Sequence, residues 1–119
     1  MILRLWSGWT GPALADAYER LLTQDIAPTI LARGVDGLRE LRVLRRCPQE
    51  LDPTEGSEFL TAMTFTDFAA VSAFTGGDPS TSVVPPAARE LLARFDRQSR
   101  HYVSRAVFRD GDGQPPGTG

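Results

Sequence analysis

The order in which extended and helical stretches follow one another constrains this chain most. Four stretches have the alternating apolar pattern or the β-branched and aromatic content of strands, namely 2–10, 38–46, 58–66 and 101–109. Between them, apolar residues recur at helical spacing. The order strand, helix, strand, strand, helix, short helix, strand predicts an α+β fold of the ferredoxin-like split βαβ type. Such a fold has a four-stranded antiparallel sheet with helices on one face.

The helix after the first strand has the clearest signals. Apolar residues keep helical spacing from Leu14 to Ile26, and Pro12 stands where a first helical residue needs no N–H. Pro28 removes a backbone donor and is expected to kink or interrupt this helix, and Gly34 is placed to end it.

Two shorter helices are expected in the second half of the chain. Asp67 is suited to cap the first of them, and Gly76 to end it. The second is entered through Pro86 and has an apolar stripe that runs to Phe95.

Length and composition predict one domain in a reducing compartment. A chain of 119 residues has room for one core, assigned to 1–109, whereas 110–119 lacks apolar side chains and is predicted to be a disordered tail. The net charge of -2 gives no electrostatic case for nucleic acid. Cys47 has no disulfide partner, and Arg4 interrupts the apolar amino terminus, so a cytoplasmic protein without a signal peptide or membrane span is expected.

The predicted strands carry apolar side chains on both faces, although the helices can cover only one face. A second copy of the sheet is the simplest cover for the other face. The sequence therefore predicts a homodimer that packs sheet to sheet about a two-fold axis.

Several stretches together resemble a known group of proteins. ILRLWSGWT, EFLTAMTFTDFAAVSAF, VVPPAARELLARFD and HYVSR are similar to the antibiotic biosynthesis monooxygenase family of the dimeric α/β-barrel superfamily. The resemblance implies a cofactor-free oxygenase that uses no metal or flavin and acts on a hydrophobic phenolic or polyketide-type small molecule. A non-oxidative ligand-binding or cyclase-like helper built on the same dimeric barrel is the alternative.

In the oxygenases of this family the pocket lies between sheet and helices and uses an asparagine and, four residues later, a tryptophan on the third strand. The resemblance places Thr61 and Phe65 at these two positions, and asparagine is absent from the whole chain. Thr61, Met63 and Phe65 share one face of the third strand, where they are expected to line a pocket for a flat molecule. Trp9 is a further candidate for substrate binding. A plain core role is the alternative for all four residues.

Two residues are candidates for catalysis. His101 is the one histidine, and an imidazole with an ordinary pKa of ~6.5 is suited to remove a proton at neutral pH. Tyr18 lies on the apolar stripe of the first helix, a position from which its hydroxyl could reach the cavity between helix and sheet. A structural hydrogen bond is the alternative for each. One histidine, one cysteine and scattered carboxylates offer no spacing for a metal site.

Overall fold

A computed structural model describes residues 1–52 and 54–111 of the chain. It has an antiparallel sheet with helices packed on one face, which confirms the α+β prediction. The predicted disordered tail falls largely on residues 112–119, outside the described residues. The strands are β1 (Ile2–Thr10), β2 (Leu38–Arg45), β3 (Ser57–Phe65), β4 (Arg94–Phe95) and β5 (Arg100–Val103).

The sheet has the spatial order β2-β3-β1, and both β4 and β5 pair with the remaining edge of β1. All of these pairs are antiparallel. The predicted single fourth strand, 101–109, is therefore wrong in length. Strand pairing covers Arg100–Val103, and the separate β4 occupies the other end of the same edge.

Residues 92–95 differ most from the sequence prediction, which placed Phe95 on a helix. Helix α4 (Pro86–Leu91) ends before this segment. The Ala93 N–H donates to the carbonyl of Trp9 at 2.7 Å, so pairing with β1 replaces the next helical turn. Phe95 then packs on Trp6, with ring centroids 6.1 Å apart. Tertiary contacts overrode a local helical pattern here.

The first helical region stays helical past its internal proline. Helix α1 (Ala15–Leu21) leads into a π-helical turn, Leu22–Ile26, and then into α2 (Ala27–Ala32). The Ala27 N–H bonds the carbonyl of Leu22, five residues earlier, which shifts the hydrogen-bond register just before Pro28. Pro28 thus falls in the first turn of α2, where the missing N–H is tolerated.

Helix α3 (Phe68–Thr75) has the ends that the sequence predicts. The Asp67 carboxylate accepts a hydrogen bond from the Ala70 N–H at 2.9 Å, and Gly76 closes the helix with a positive φ of 73°. None of the helices among the described residues has the length and apolar character needed to cross a bilayer.

Cross-strand pairing assigns the side chains to two faces. Arg4 lies opposite Met63 on one side and His101 on the other, so all three face the helices. Leu5 lies opposite Ala62 and faces away from them. We call the side without helices the open face; its central residues are Leu3, Leu5, Leu60, Ala62 and Thr64.

The core on the helix side is divided into two clusters. One is built around Tyr18 and Phe59, whose rings meet edge to face with centroids 5.0 Å apart. The other is built around Phe65, Val71 and Phe74. Because the two clusters do not merge, a gap remains between sheet and helices.

Candidate functional site

A cavity occupies the gap between the two core clusters. The space inside it that is open to the centre of a water molecule is about 50 Å³, and the whole hollow, including its mouth open to solvent, is about 550 Å³. Val83 is 46 % exposed and lines the cavity, which places the opening on that side. Most of the lining is apolar, as is usual for sites that bind small molecules. The helices contribute Tyr18, Leu22, Ile26, Ala27, Ile30, Phe74 and Ala88, and the sheet contributes Trp6, Leu41, Val43, Thr61 and Met63.

Arg4 is the charged residue of the cavity wall. Its side chain comes from the middle of β1, and the residue is only 3 % exposed. Its guanidinium donates to the backbone carbonyl of Pro79 and, at 2.8 Å, to that of Thr81. These bonds tie the loop before α4 across the end of the cavity. The guanidinium also lies over the ring of Phe74, with its central carbon 5.5 Å from the centroid.

Arg4 has no carboxylate partner within the described part of the chain. The ion pairs found there involve Arg42, Arg45 and Arg46, which lie on or just after β2. Burial lowers the pKa of Arg4 from its ordinary value, but a guanidinium remains charged in proteins. The cavity wall therefore contains a positive charge that only backbone carbonyls and one ring nitrogen solvate.

That ring nitrogen belongs to His101. Nη1 of Arg4 lies 2.9 Å from Nε2 of His101. A guanidinium has no acceptor, so Nε2 accepts this hydrogen bond and the histidine is neutral with its proton on Nδ1. Burial and then the charge of Arg4 lower the pKa of His101, which agrees with this state. The ring also packs edge-on against Phe68, with centroids 5.3 Å apart.

Two further polar groups in the cavity wall have unused hydrogen-bonding capacity. Ser99 is 6 % exposed, and its buried Oγ has no hydrogen-bond partner among the described residues. No hydrogen bond joins the hydroxyl of Tyr18 to another described residue, and burial raises the pKa of Tyr18 to about 12. Both hydroxyls are therefore available to a polar group that enters the cavity.

The structure brings three of the proposed site residues together. Tyr18, Thr61 and Met63 line one cavity. His101 is not part of that lining and reaches it through Arg4. Phe65 is fully buried in the second core cluster and does not line the cavity. Trp9 faces away from the helices, where the Arg94 guanidinium lies 4.0 Å from its ring centroid.

Sequence reasoning missed two polar residues of the cavity wall, Arg4 and Ser99. The signal for Arg4 was its position between Ile2 and Trp6, with the same parity as both, on a strand with no other charged residue. A charge at such a position needs a solvating site inside the protein. Ser99 precedes β5 and carries no comparable signal.

In comparisons with protein-family models and with curated proteins, the sequence matches none of them. The described residues also contain no group of three or more histidine, cysteine, aspartate or glutamate side chains that is suited to hold a metal ion. The site is therefore interpreted from its own residues.

Proposed function

We propose that the protein binds an apolar, ring-containing small molecule of the phenolic or polyketide type in the cavity between sheet and helices. The observation that carries this proposal is the divided core, which leaves a largely apolar cavity instead of closing over it. Well-packed domains of this size have few voids larger than a water molecule. The hydroxyls of Tyr18 and Ser99, both in the cavity wall, supply the few polar contacts that orient a ligand.

The proposal includes the finer architecture implied by the resemblance. The strand order, with β4 and β5 together taking the place of one edge strand, is consistent with a ferredoxin-like split βαβ arrangement. In the dimeric form that we propose, two open faces pack against each other and leave both cavities on the outer, helical sides.

The two tryptophans provide a direct binding test. Trp6 lines the cavity, whereas Trp9 faces away from the helices. We expect a two-ring phenol such as 2-naphthol to shift the Trp6 indole N–H resonance in an NMR titration and to leave that of Trp9 nearly unchanged. Equal shifts of both resonances, or none up to millimolar ligand, would contradict the proposal.

A filled cavity supplies the mutational test. Thr61→Phe places a ring inside the cavity, and we expect it to weaken binding by at least about tenfold, since a ligand of matching shape then overlaps the new side chain. Thr29→Phe is the matched control, because Thr29 is exposed on α2 and lies outside the cavity. If Thr61→Phe and Thr29→Phe bind 2-naphthol with equal affinity, the cavity is not the binding site.

Cofactor-free oxygenation is the second candidate, and the charge of Arg4 favours it. Such a reaction needs an electron-rich anion held away from water, and a buried guanidinium stabilises a phenolate. An anthrone-type substrate would take up one molecule of oxygen, form a quinone and release one molecule of water. Oxygen-electrode measurements with a panel of anthrones test this reaction. If oxygen is consumed no faster than in buffer alone, the oxygenase proposal fails and the binding proposal stands.

A further inference from the structure

We infer that the ligand of the cavity carries a carboxylate, which binds Arg4 and Ser99. This inference rests on the proposed binding function and specifies its ligand class. Its basis is a buried cation without a carboxylate partner and a buried hydroxyl without a hydrogen-bond partner among the described residues, both in the wall of one cavity. An unpaired buried charge is costly, and an anionic ligand would remove that cost.

The donor inventory of Arg4 leaves room for such a ligand. A guanidinium has five N–H donors in one plane. Three are used, by the carbonyls of Pro79 and Thr81 and by His101. The Nε–H and one Nη2–H have no acceptor within the described residues. These two donors belong to two nitrogens bonded to the same carbon, so the guanidinium still has N–H groups to offer an anion.

Ser99 completes the site from the position just before β5. It has the same parity as His101, which pairs with Arg4 across β1 and β5. Its Oγ–H would donate to the carboxylate that Arg4 holds, and this bond would satisfy the one buried hydroxyl of the cavity wall that lacks a partner and solvent.

A carboxylate fits this charge better than the other common anions do. Arg4 is the one cationic residue of the cavity lining, so it balances a single negative charge, whereas a phosphate monoester brings nearly two. A phenol has a pKa near ~10 and must first lose a proton, while a carboxylic acid with a pKa near ~4 is already ionised at neutral pH. His101, the nearest candidate base, lies outside the described lining and uses the lone pair of Nε2 on Arg4, so it is not placed to remove that proton.

Matched ligands test the inference on the unaltered protein. 2-Naphthoate and 2-naphthamide have the same ring body and nearly the same shape, and only the first is charged. We expect naphthoate to bind at least about tenfold more tightly, as measured by calorimetry and by the Trp6 indole resonance. Equal affinity for the two compounds overturns the carboxylate inference and leaves the binding function intact. If 2-naphthol and both of these compounds fail to bind, the proposed function falls and the inference falls with it.

Variants then locate the anion site. Ser99→Ala removes one donor, and we expect it to weaken naphthoate binding about three- to tenfold while naphthamide binding stays the same. Arg4→Gln should abolish the preference for the acid. Arg100→Gln is its matched control, because it removes the same charge from the adjacent strand, where Arg100 lies opposite Leu5 and faces away from the helices.

Because Arg4 also fastens the loop before α4, its replacement needs a check on folding. The indole resonance of Trp9 and the thermal midpoint report on that. If Arg4→Gln does not fold, Ser99→Ala and the ligand pair still decide the question. If the Ser99→Ala protein keeps the full preference for naphthoate over naphthamide, Ser99 does not bind the carboxylate. If the wild-type protein shows no preference, the cavity has no carboxylate site.

Discussion

At the scale of single residues, the polar side chains in the cavity wall distinguish this molecule from a plain core. Tyr18 is the largest of them, since its ring fills the first core cluster and its hydroxyl meets the cavity. A buried phenol resists ionisation because its phenolate would lose the hydration that it has in water. Burial accordingly raises the pKa of Tyr18 to about 12.

That shift predicts a dependence of stability on alkaline pH. In the unfolded chain the pKa of a tyrosine is about 10, so unfolding releases a proton above that pH and stability falls until the folded group ionises. We expect the free energy of unfolding to drop by roughly 2–3 kcal/mol between pH 10 and pH 12, relative to a Tyr18→Phe variant. Full stabilisation by this group is present below pH 10. The measurement is urea denaturation across this pH range.

The chain is suited to that experiment because it contains no lysine to titrate in the same range. Tyr102 is the other tyrosine, and a Tyr102→Phe background removes it from both proteins. The absorbance of the phenolate at high pH then reports on Tyr18 alone. Parallel stability profiles for the two proteins would show that the hydroxyl of Tyr18 is hydrated in the folded state.

Strand alternation predicted part of the site at this scale. It was enough to place Thr61 and Met63 on one face, and helical spacing placed Tyr18 opposite them. The partners of Arg4 could not be predicted, because Thr81 and His101 are far away in sequence and meet it through loop closure and strand pairing. Phe65 follows the same alternation but lies beyond the end of the cavity, at a depth that the pattern does not encode.

At the scale of elements, locally signalled segments were predicted well. β1, β3 and α3 lie within one residue of their expected bounds, because their alternation, cap and terminating glycine are all contained in a short stretch. The segment 92–109 was predicted poorly, because its structure depends on which part of the β1 edge is available for pairing. Non-local pairing of this kind leaves little trace in local sequence.

The start of β2 contains an element-level constraint that a mutation can test. Gly37 has a φ of 87°, and an added Cβ would lie 2.6 Å from Oγ1 of Thr66 and 2.7 Å from Cβ of Ala70. Its carbonyl also accepts a hydrogen bond from the Thr66 N–H at 2.8 Å, which joins β2 to the beginning of α3. The glycine therefore provides both a left-handed turn and a close approach of two elements.

We expect Gly37→Ala to destabilise the protein by about 2–4 kcal/mol, the sum of backbone strain and overpacking. Gly34→Ala is the matched control, because Gly34 also has a positive φ, of 63°, but has open space around its Cα. We expect Gly34→Ala to lower the free energy of unfolding by about 1 kcal/mol, because only backbone strain contributes there. Urea denaturation of both variants measures the difference. Equal losses would mean that α3 moves away from the new methyl group at no cost.

At the scale of the whole molecule, the open face is a feature that has no function in the single chain. Its centre is apolar, with Leu3, Leu5 and Leu60, and each of these residues remains partly exposed. Its margin is charged, with Glu40 and Arg42 paired on β2 and Arg100 on β5. An apolar centre inside a charged rim is the usual anatomy of a protein interface.

Residues after β5 extend the same argument. Val107 and Phe108 follow the last strand, and Phe108 is 86 % exposed. An exposed phenylalanine and a partly exposed apolar sheet face are features of surfaces that take part in protein contacts. A second copy of the chain covers such a face on both partners at once, because a two-fold interface uses the same residues twice.

The open face therefore predicts a mass of twice 13.0 kDa in solution for the wild-type chain. Leu5→Glu should convert the dimer to a monomer, since it places a charge at the centre of the interface. The variant chain should still fold, because Arg100 lies directly opposite position 5 and can pair with the new carboxylate. Leu31→Glu is the matched control, because Leu31 is 53 % exposed on α2, away from the open face.

Light scattering at about 50 μM measures the mass of the wild-type protein and of both variants. At this concentration a dimer with a micromolar dissociation constant is mostly assembled. A wild-type mass of 13.0 kDa would show that the open face is solvated in the free protein and that the ligand cavity belongs to a monomer.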